Sequence, residues 1–101
     1  MRTAARVDAN QTAVVKYLRQ CGMSAEVLSA VGKGCPDLIV GFHGLNILLE
    51  IKDGAKSPSK QSLTVAEADW HAAWGGQVTI ATSPEEAASI VVAACKARGV
   101  L

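Results

Sequence analysis

Aromatic side chains are scarce in this sequence. Two Trp, one Tyr and one Phe among 101 residues, with half the residues hydrophobic and alanine abundant, leave the core to small and aliphatic side chains. A charge excess is lacking too: the formal net charge is +1, so composition does not mark a nucleic-acid binder. Cysteine is rare, odd in number and widely spaced. Cys21, Cys35 and Cys95 form no CxxC pair, which argues against a disulfide framework or a zinc site and for reduced thiols in a cytoplasmic setting. No apolar run is long enough to span a membrane. The first seven residues carry charge with no apolar run behind them, so no secretory leader is read. The length suits one domain over 1–101 with a single modest core, and no internal repeat is seen.

What is present is unevenly placed. Residues 1–60 hold eight Lys/Arg against five acids, and the remainder holds two against four. A basic part and an acidic part suit a molecule with one face towards phosphate; scatter produces the same counts.

The informative stretch is Pro36-Asp37-Leu38-Ile39-Val40-Gly41-Phe42-His43-Gly44-Leu45-Asn46-Ile47-Leu48-Leu49-Glu50-Ile51-Lys52. Two apolar runs flank His43-Gly44, which reads as a β-hairpin with a two-residue turn. Phe42 then faces Leu45, Gly41 faces Asn46, Ile39 faces Leu48 and Asp37 faces Glu50. Alternation puts Lys52 on the Glu50 face. The strands are otherwise almost all aliphatic, as expected when both faces of a sheet are covered. Like charges directly opposed across strands repel. A divalent cation converts that repulsion into ligation, and Mg²⁺ prefers oxygen donors and retains several waters. Lys52 beside it is placed to orient water or to neutralise charge developing on a phosphate.

The rest of the chain supplies the scaffold. Residues 7–21 read as a helix, with Val7, Val14, Leu18 and Cys21 inward and Lys16 and Arg19 outward. Gln11 falls on the inward stripe. It either closes an Asp8-x-x-Gln11 capping box or meets a polar partner in a site. Residues 25–31 read as a first strand with Val27 and Val31 among its apolar positions. Gly32-Lys33-Gly34 is a turn whose bare backbone could approach a phosphate, with Lys33 as counter-charge. Residues 53–61 are a polar loop carrying Lys56 and Lys60, read as a flap that contacts DNA or as a solvated linker. Thr64-Val65-Ala66-Glu67 is a capping box opening a second helix. Trp70 and Trp74 on it read as core or interface packing ahead of stacking on DNA. His71 reads as structural ahead of catalytic. Residues 77–82 form a strand with Val78 and Ile80 as its buried pair. Ser83, Pro84 and Glu86 open a last helix with Ala87, Ile90, Val91, Ala94 and Cys95 on its apolar side.

The order helix, strand, strand, strand, helix, strand, helix predicts an α/β fold: a mixed central sheet flanked by helices, with an extra C-terminal helix. Pro36-Asp37 followed by Glu50-Ile51-Lys52 resembles the PD-(D/E)XK nuclease superfamily. Within it the chain is similar to the small standalone VRR-NUC-like nucleases of phages and bacteria. Asp8-Ala9-Asn10-Gln11, Val31-Gly32-Lys33-Gly34 and Leu63-Thr64 through Trp70-His71 carry the likeness further. The resemblance implies a restriction-endonuclease-like αβββαβ core and a metal-dependent DNA endonuclease acting on phosphodiester bonds, with branched or junction DNA among its possible substrates. The products it implies are a 5′-phosphate and a 3′-hydroxyl. It also implies Asp37, Glu50 and the Ile51 carbonyl as ligands of Mg²⁺, with Mn²⁺ substituting. Lys52 is then the catalytic lysine and Gln11, or failing it Asp8, the first-helix member of the site. Many superfamily members carry Glu there, so Gln11 leaves open whether one or two metals bind. Lys33, Lys56, Lys60 and Arg6 are the candidates for contact with DNA. A homodimer is expected by analogy with related small nucleases, and no organic cofactor. The competing reading is a catalytically inactive DNA-binding or assembly protein that keeps the nuclease fold; a third is a structural domain with an accidental Asp37–Glu50 pair.

Overall fold

A computed structural model describes residues 9–101. The expectations placed on Arg6, Val7 and Asp8 lie outside the described residues.

Helix α1 spans Ala9–Gln20, and Gln11, Val14, Val15 and Leu18 form its buried stripe at the spacing an amphipathic helix requires. Cys21 does not join that stripe. It is exposed, because the helix ends at Gln20 and Gly22, at φ +83°, turns the chain away. Strand β1 spans Ser24–Val27 and stops short of the expected range. The Leu28 N–H still continues the ladder by donating to the Asp37 carbonyl, and the Val31 N–H then donates to the Leu28 carbonyl, closing a turn that bends the chain after Leu28. Val27 and Val31 are accordingly 42% and 62% exposed instead of facing a core.

Strands β2 (Leu38–Phe42) and β3 (Leu45–Ile51) form the hairpin. Their register is the one the alternation predicts: Phe42 opposite Leu45, Gly41 opposite Asn46, Ile39 opposite Leu48. His43 and Gly44 have φ of 51° and 80°. Positive φ at both turn residues is the type I′ geometry whose twist matches that of the strands. Strand β4 (Val78–Ala81) lies parallel to β3 and the sheet order is β1-β2-β3-β4, with the first two pairings antiparallel. The sheet is therefore mixed.

Side-chain alternation divides the sheet. Leu38, Val40, Ile47, Leu49, Ile51 and Ala81 point to one face and form a single buried cluster with α1 and with Ala87, Val91 and Cys95 of helix α4 (Pro84–Ala97). Leu18, Leu38 and Leu49 are fully enclosed, each contributing about 1.5–3 kcal/mol of transfer free energy. The second face is less covered: Ile39, Val78 and Ile80 remain half-buried. The expectation of two covered faces holds only in part, since Leu48 and Glu50 are buried on the second face, and Val78 and Ile80 are not the buried pair expected. No helix and strand pairing beyond α1 and α4 supplies a second apolar layer of comparable depth among the described residues.

The chain crosses from β3 to β4 through the short helix α2 (Pro58–Gln61) and helix α3 (Val65–Ala73). The segment 53–61 is thus not a plain loop. The Gln61 side chain donates to the carbonyls of Lys56 and Gly54, at 2.7 and 3.3 Å, and folds it back on itself. Helix α3 opens with the expected reciprocal box: Thr64 Oγ1 accepts from the Glu67 N–H, and Glu67 Oε1 accepts from the Thr64 N–H. No residue of α3 is buried. Trp70 and Trp74 stack on each other at 4.7 Å with Trp74 47% exposed, so they are not core residues. At α4, Ser83 caps Glu86 as expected. Glu86 instead accepts from the N–H and hydroxyl of Thr82, which wins the carboxylate because it offers two donors. No helix among the described residues is long and apolar enough to cross a membrane.

Candidate active site

The backbone ladder of the hairpin ends at Leu38 opposite Leu49. One step further the same register places Asp37 opposite Glu50 and Pro36 opposite Ile51. Counting from the turn, Asp37 and Glu50 occupy a position without mutual backbone hydrogen bonds, where facing side chains approach most closely. Pro36 and Ile51 occupy a hydrogen-bonded position, but proline has no N–H to give. The Ile51 N–H is taken instead by Asp37 Oδ2 at 2.7 Å. Both polar groups of a strand residue point to the same edge, so the Ile51 carbonyl also faces Asp37, with no proline donor opposite it.

Glu50 stands out within the site. It is 3% exposed, and its Oε1 has no hydrogen-bond partner. A buried carboxylate without partners is costly. Burial, then the shared hydrogen bond and charge of Asp37, then Glu67, push the Glu50 carboxyl up to about 9, with Lys52 opposing them. Lys52 follows on the same face. Its ammonium donates to Glu67 Oε1 at 2.8 Å and lies 3.8 Å from Glu50 Oε2.

A cavity of about 250 Å³ opens here, lined by Gln11, Asp37, Glu50, Ile51, Lys52, Asp53, Lys56 and Lys60. Of the residues singled out from the sequence, it therefore gathers Asp37, Glu50, Ile51, Lys52, Gln11, Lys56 and Lys60. Lys33 does not line it; it sits exposed in a left-handed turn, φ 57°. Gln11 is 3% exposed and donates to Ser29 Oγ at 3.0 Å. The strand end is held from two sides. Asn10 Nδ2 donates to the Lys52 carbonyl at 2.8 Å, and the Lys52 and Gly54 N–H groups donate to the carbonyls of Ala81 and Thr82.

Four neighbours were not read from the sequence as part of the site: Asn10, Ser29, Asp53 and Glu67. Glu67 was legible only as a helix cap, which it also is. Its second contact depends on where α3 lies over the sheet.

Whether the donor set suits a metal follows from its chemistry. Among the described residues, no group of three or more His, Cys, Asp or Glu side chains is arranged around one point. The set is two carboxylates and a backbone carbonyl, all hard oxygens. It suits Mg²⁺, which binds through one or two carboxylates and keeps its waters, and suits zinc poorly.

No protein-family model matches the sequence, and no curated protein matches it either. A solved structure described as a VRR_NUC domain superposes with a TM-score of 0.59 at 22% identity, covering 81% of this chain and 89% of its own. The likeness is one of fold: the mixed sheet with its flanking helices is the fold of that VRR_NUC domain.

Proposed function

We propose that this protein is a metal-dependent deoxyribonuclease that cuts phosphodiester bonds internally, with branched or junction DNA as the substrate class to test first. The observation that carries the reading is Glu50: a buried carboxyl with an unpartnered oxygen, held against Asp37 at the rim of a cavity. A fold that did not use this pair would gain by replacing either member.

Asp37, Glu50 and the Ile51 carbonyl would hold Mg²⁺, or Mn²⁺ in its place. Bound there, the cation supplies Lewis-acid polarisation of a scissile phosphate and acidifies water. The chain's own residues do the rest. The Lys52 ammonium stands beside the carboxylates, where it stabilises negative charge that grows on the phosphate during attack. Lys56 and Lys60 line the cavity mouth and draw the nucleic-acid backbone towards it. The buried Gln11 amide presents a polar wall and no charge. One such site cuts one strand, so cleavage of a duplex or of a junction on both sides requires two copies, and a homodimer is the expected form.

The test uses supercoiled, linear and four-way-junction DNA incubated with Mg²⁺, Mn²⁺ or a chelator, with Lys52→Ala as control. Metal-dependent cutting by the wild type, lost in the variant, is the expected result. No cutting of any substrate with either metal, alongside retained DNA binding, would select the inactive DNA-binding protein instead.

A further inference from the structure

Lys52 has two acidic neighbours, and they are not equivalent. Its amine lies 2.8 Å from Glu67 Oε1 and 3.8 Å from Glu50 Oε2, so it is drawn to the helix and away from the strand. Both members of the closer pair are largely enclosed, at 13% and 19% side-chain exposure, where a hydrogen-bonded ion pair is screened less than at the surface.

The position of Glu67 is set by two further constraints. The capping box fixes its side chain at the start of α3, with the same Oε1 accepting from the Thr64 N–H at 2.9 Å. The turn Gly32–Gly34 fixes the helix. Gly34 has φ +85°, and a Cβ on it would collide with the carbonyl of Ala66, the residue before Glu67. The backbone of that turn is thus the seat on which the first turn of α3 rests. The close approach of Gly34 to the Ala66 carbonyl fixes the first turn of α3, and Glu67 with it.

We propose that Glu67 is a positioning residue: it holds the Lys52 amine on the α3 side of the cavity, off Glu50, and so leaves the Glu50 carboxylate open to a cation. The inference rests on the nuclease reading for its purpose, but not for its geometry. Without Glu67, the amine's next acceptor is Glu50, and a lysine paired there competes directly with a metal ion for the same oxygens. Gln11 also lines the cavity but carries no charge, so it offers the amine no counter-charge.

The substitution that isolates the effect is Glu67→Gln. A capping box accepts Gln as well as Glu, so α3 keeps its cap while Lys52 loses its counter-charge. Two readouts on the full-length protein are needed. The first, without metal, is acylation of individual lysines by an amine-reactive ester, followed by peptide mass spectrometry with Lys96 as internal reference. Glu67→Gln is expected to lower Lys52 labelling several-fold relative to Lys96, because the amine then turns inward to the buried Glu50. The second is Mn²⁺ affinity by calorimetry, alone and in a Lys52→Ala background. Glu67→Gln is expected to weaken Mn²⁺ binding about tenfold with Lys52 present and to have no effect without it, a coupling that only residues acting on each other display.

Unchanged labelling of Lys52, with the melting temperature preserved, would overturn the positioning role. So would an equal loss of Mn²⁺ affinity in both backgrounds. If the wild type bound no Mn²⁺, the nuclease reading would fall while the labelling result still decided whether Glu67 holds the lysine. Glu67→Asp, one methylene short of the amine, should reproduce the Gln phenotype in labelling, which a purely helix-capping role does not require.

Discussion

Replacing Glu50 by Gln should stabilise the metal-free protein, and by an amount that depends on pH in a defined way. The carboxyl titrates at about 9 in the fold against 4.5 as the reference value, chiefly through burial and then through Asp37. Below pH 4.5 both the folded and the unfolded chain hold the proton, and the residue's full stability is present. As pH rises from there the unfolded chain releases its proton first, so stability declines until pH passes about 9. At pH 7 the difference is worth on the order of 3 kcal/mol. The carboxyl borders a cavity open to solvent, and screening lowers that figure to about 2 kcal/mol. Glutamine has the same shape, carries no charge at any pH and can donate its amide to Asp37. For a chain of this length the gain corresponds to at least about 8 °C in Tm at pH 7, and close to nothing at pH 4. The assay is thermal unfolding of both proteins in chelator at pH 4, 7 and 9, by circular dichroism or calorimetry. A difference that does not change with pH, or a Gln variant that melts below the wild type at pH 7, would refute the reasoning.

Other outcomes follow from the same geometry. Adding millimolar Mn²⁺ should raise the wild-type Tm, since binding to the folded state alone stabilises it, and should leave the Glu50→Gln variant unmoved; equal shifts would show that the ion binds elsewhere. Gly34→Ala should cost about 3 kcal/mol or more, because it combines a left-handed backbone with a collision against the Ala66 carbonyl; hydrogen exchange should show the loss concentrated in α3, and a loss spread over the sheet would contradict the seat described for that turn. Replacing Lys56 and Lys60 together by Ala should weaken DNA binding without altering the melting curve and lower the salt slope by about 2; an unchanged slope would remove them from the DNA path. Leu49→Ala, at a fully enclosed position of β3, should cost about 2–5 kcal/mol, read from urea unfolding.

The hairpin was legible because every constraint on it is local. His43-Gly44 suits a turn with two positive φ values, the turn sets the register, and alternation carries Asp37, Glu50 and Lys52 to one face. The helix caps at Thr64 and Ser83 were legible for the same reason. Elsewhere the strand reading ran past Leu28, where a turn closed by the Val31 N–H on the Leu28 carbonyl bends the chain, and apolar Val27 and Val31 gave no warning of it. Cys21 matched the helical period, but the helix had already stopped. The Glu67–Lys52 pair lies between elements joined by a crossover, and no spacing rule states how a helix will tilt over a sheet. Asn10 reaching the Lys52 carbonyl is hidden in the same way.

The crossover between β3 and β4 has a thermodynamic consequence of its own. Neither α2 nor α3 buries a residue, whereas the sheet and the two long helices share one continuous core. The two parts therefore belong to different cooperative units, and the crossover should open by local unfolding at a free energy well below that of the whole chain. Such opening strips the lysine of its helical acid while the paired aspartate and glutamate stay in register, so the Lys52–Glu67 pair and the Asp37–Glu50 pair are separable events in time.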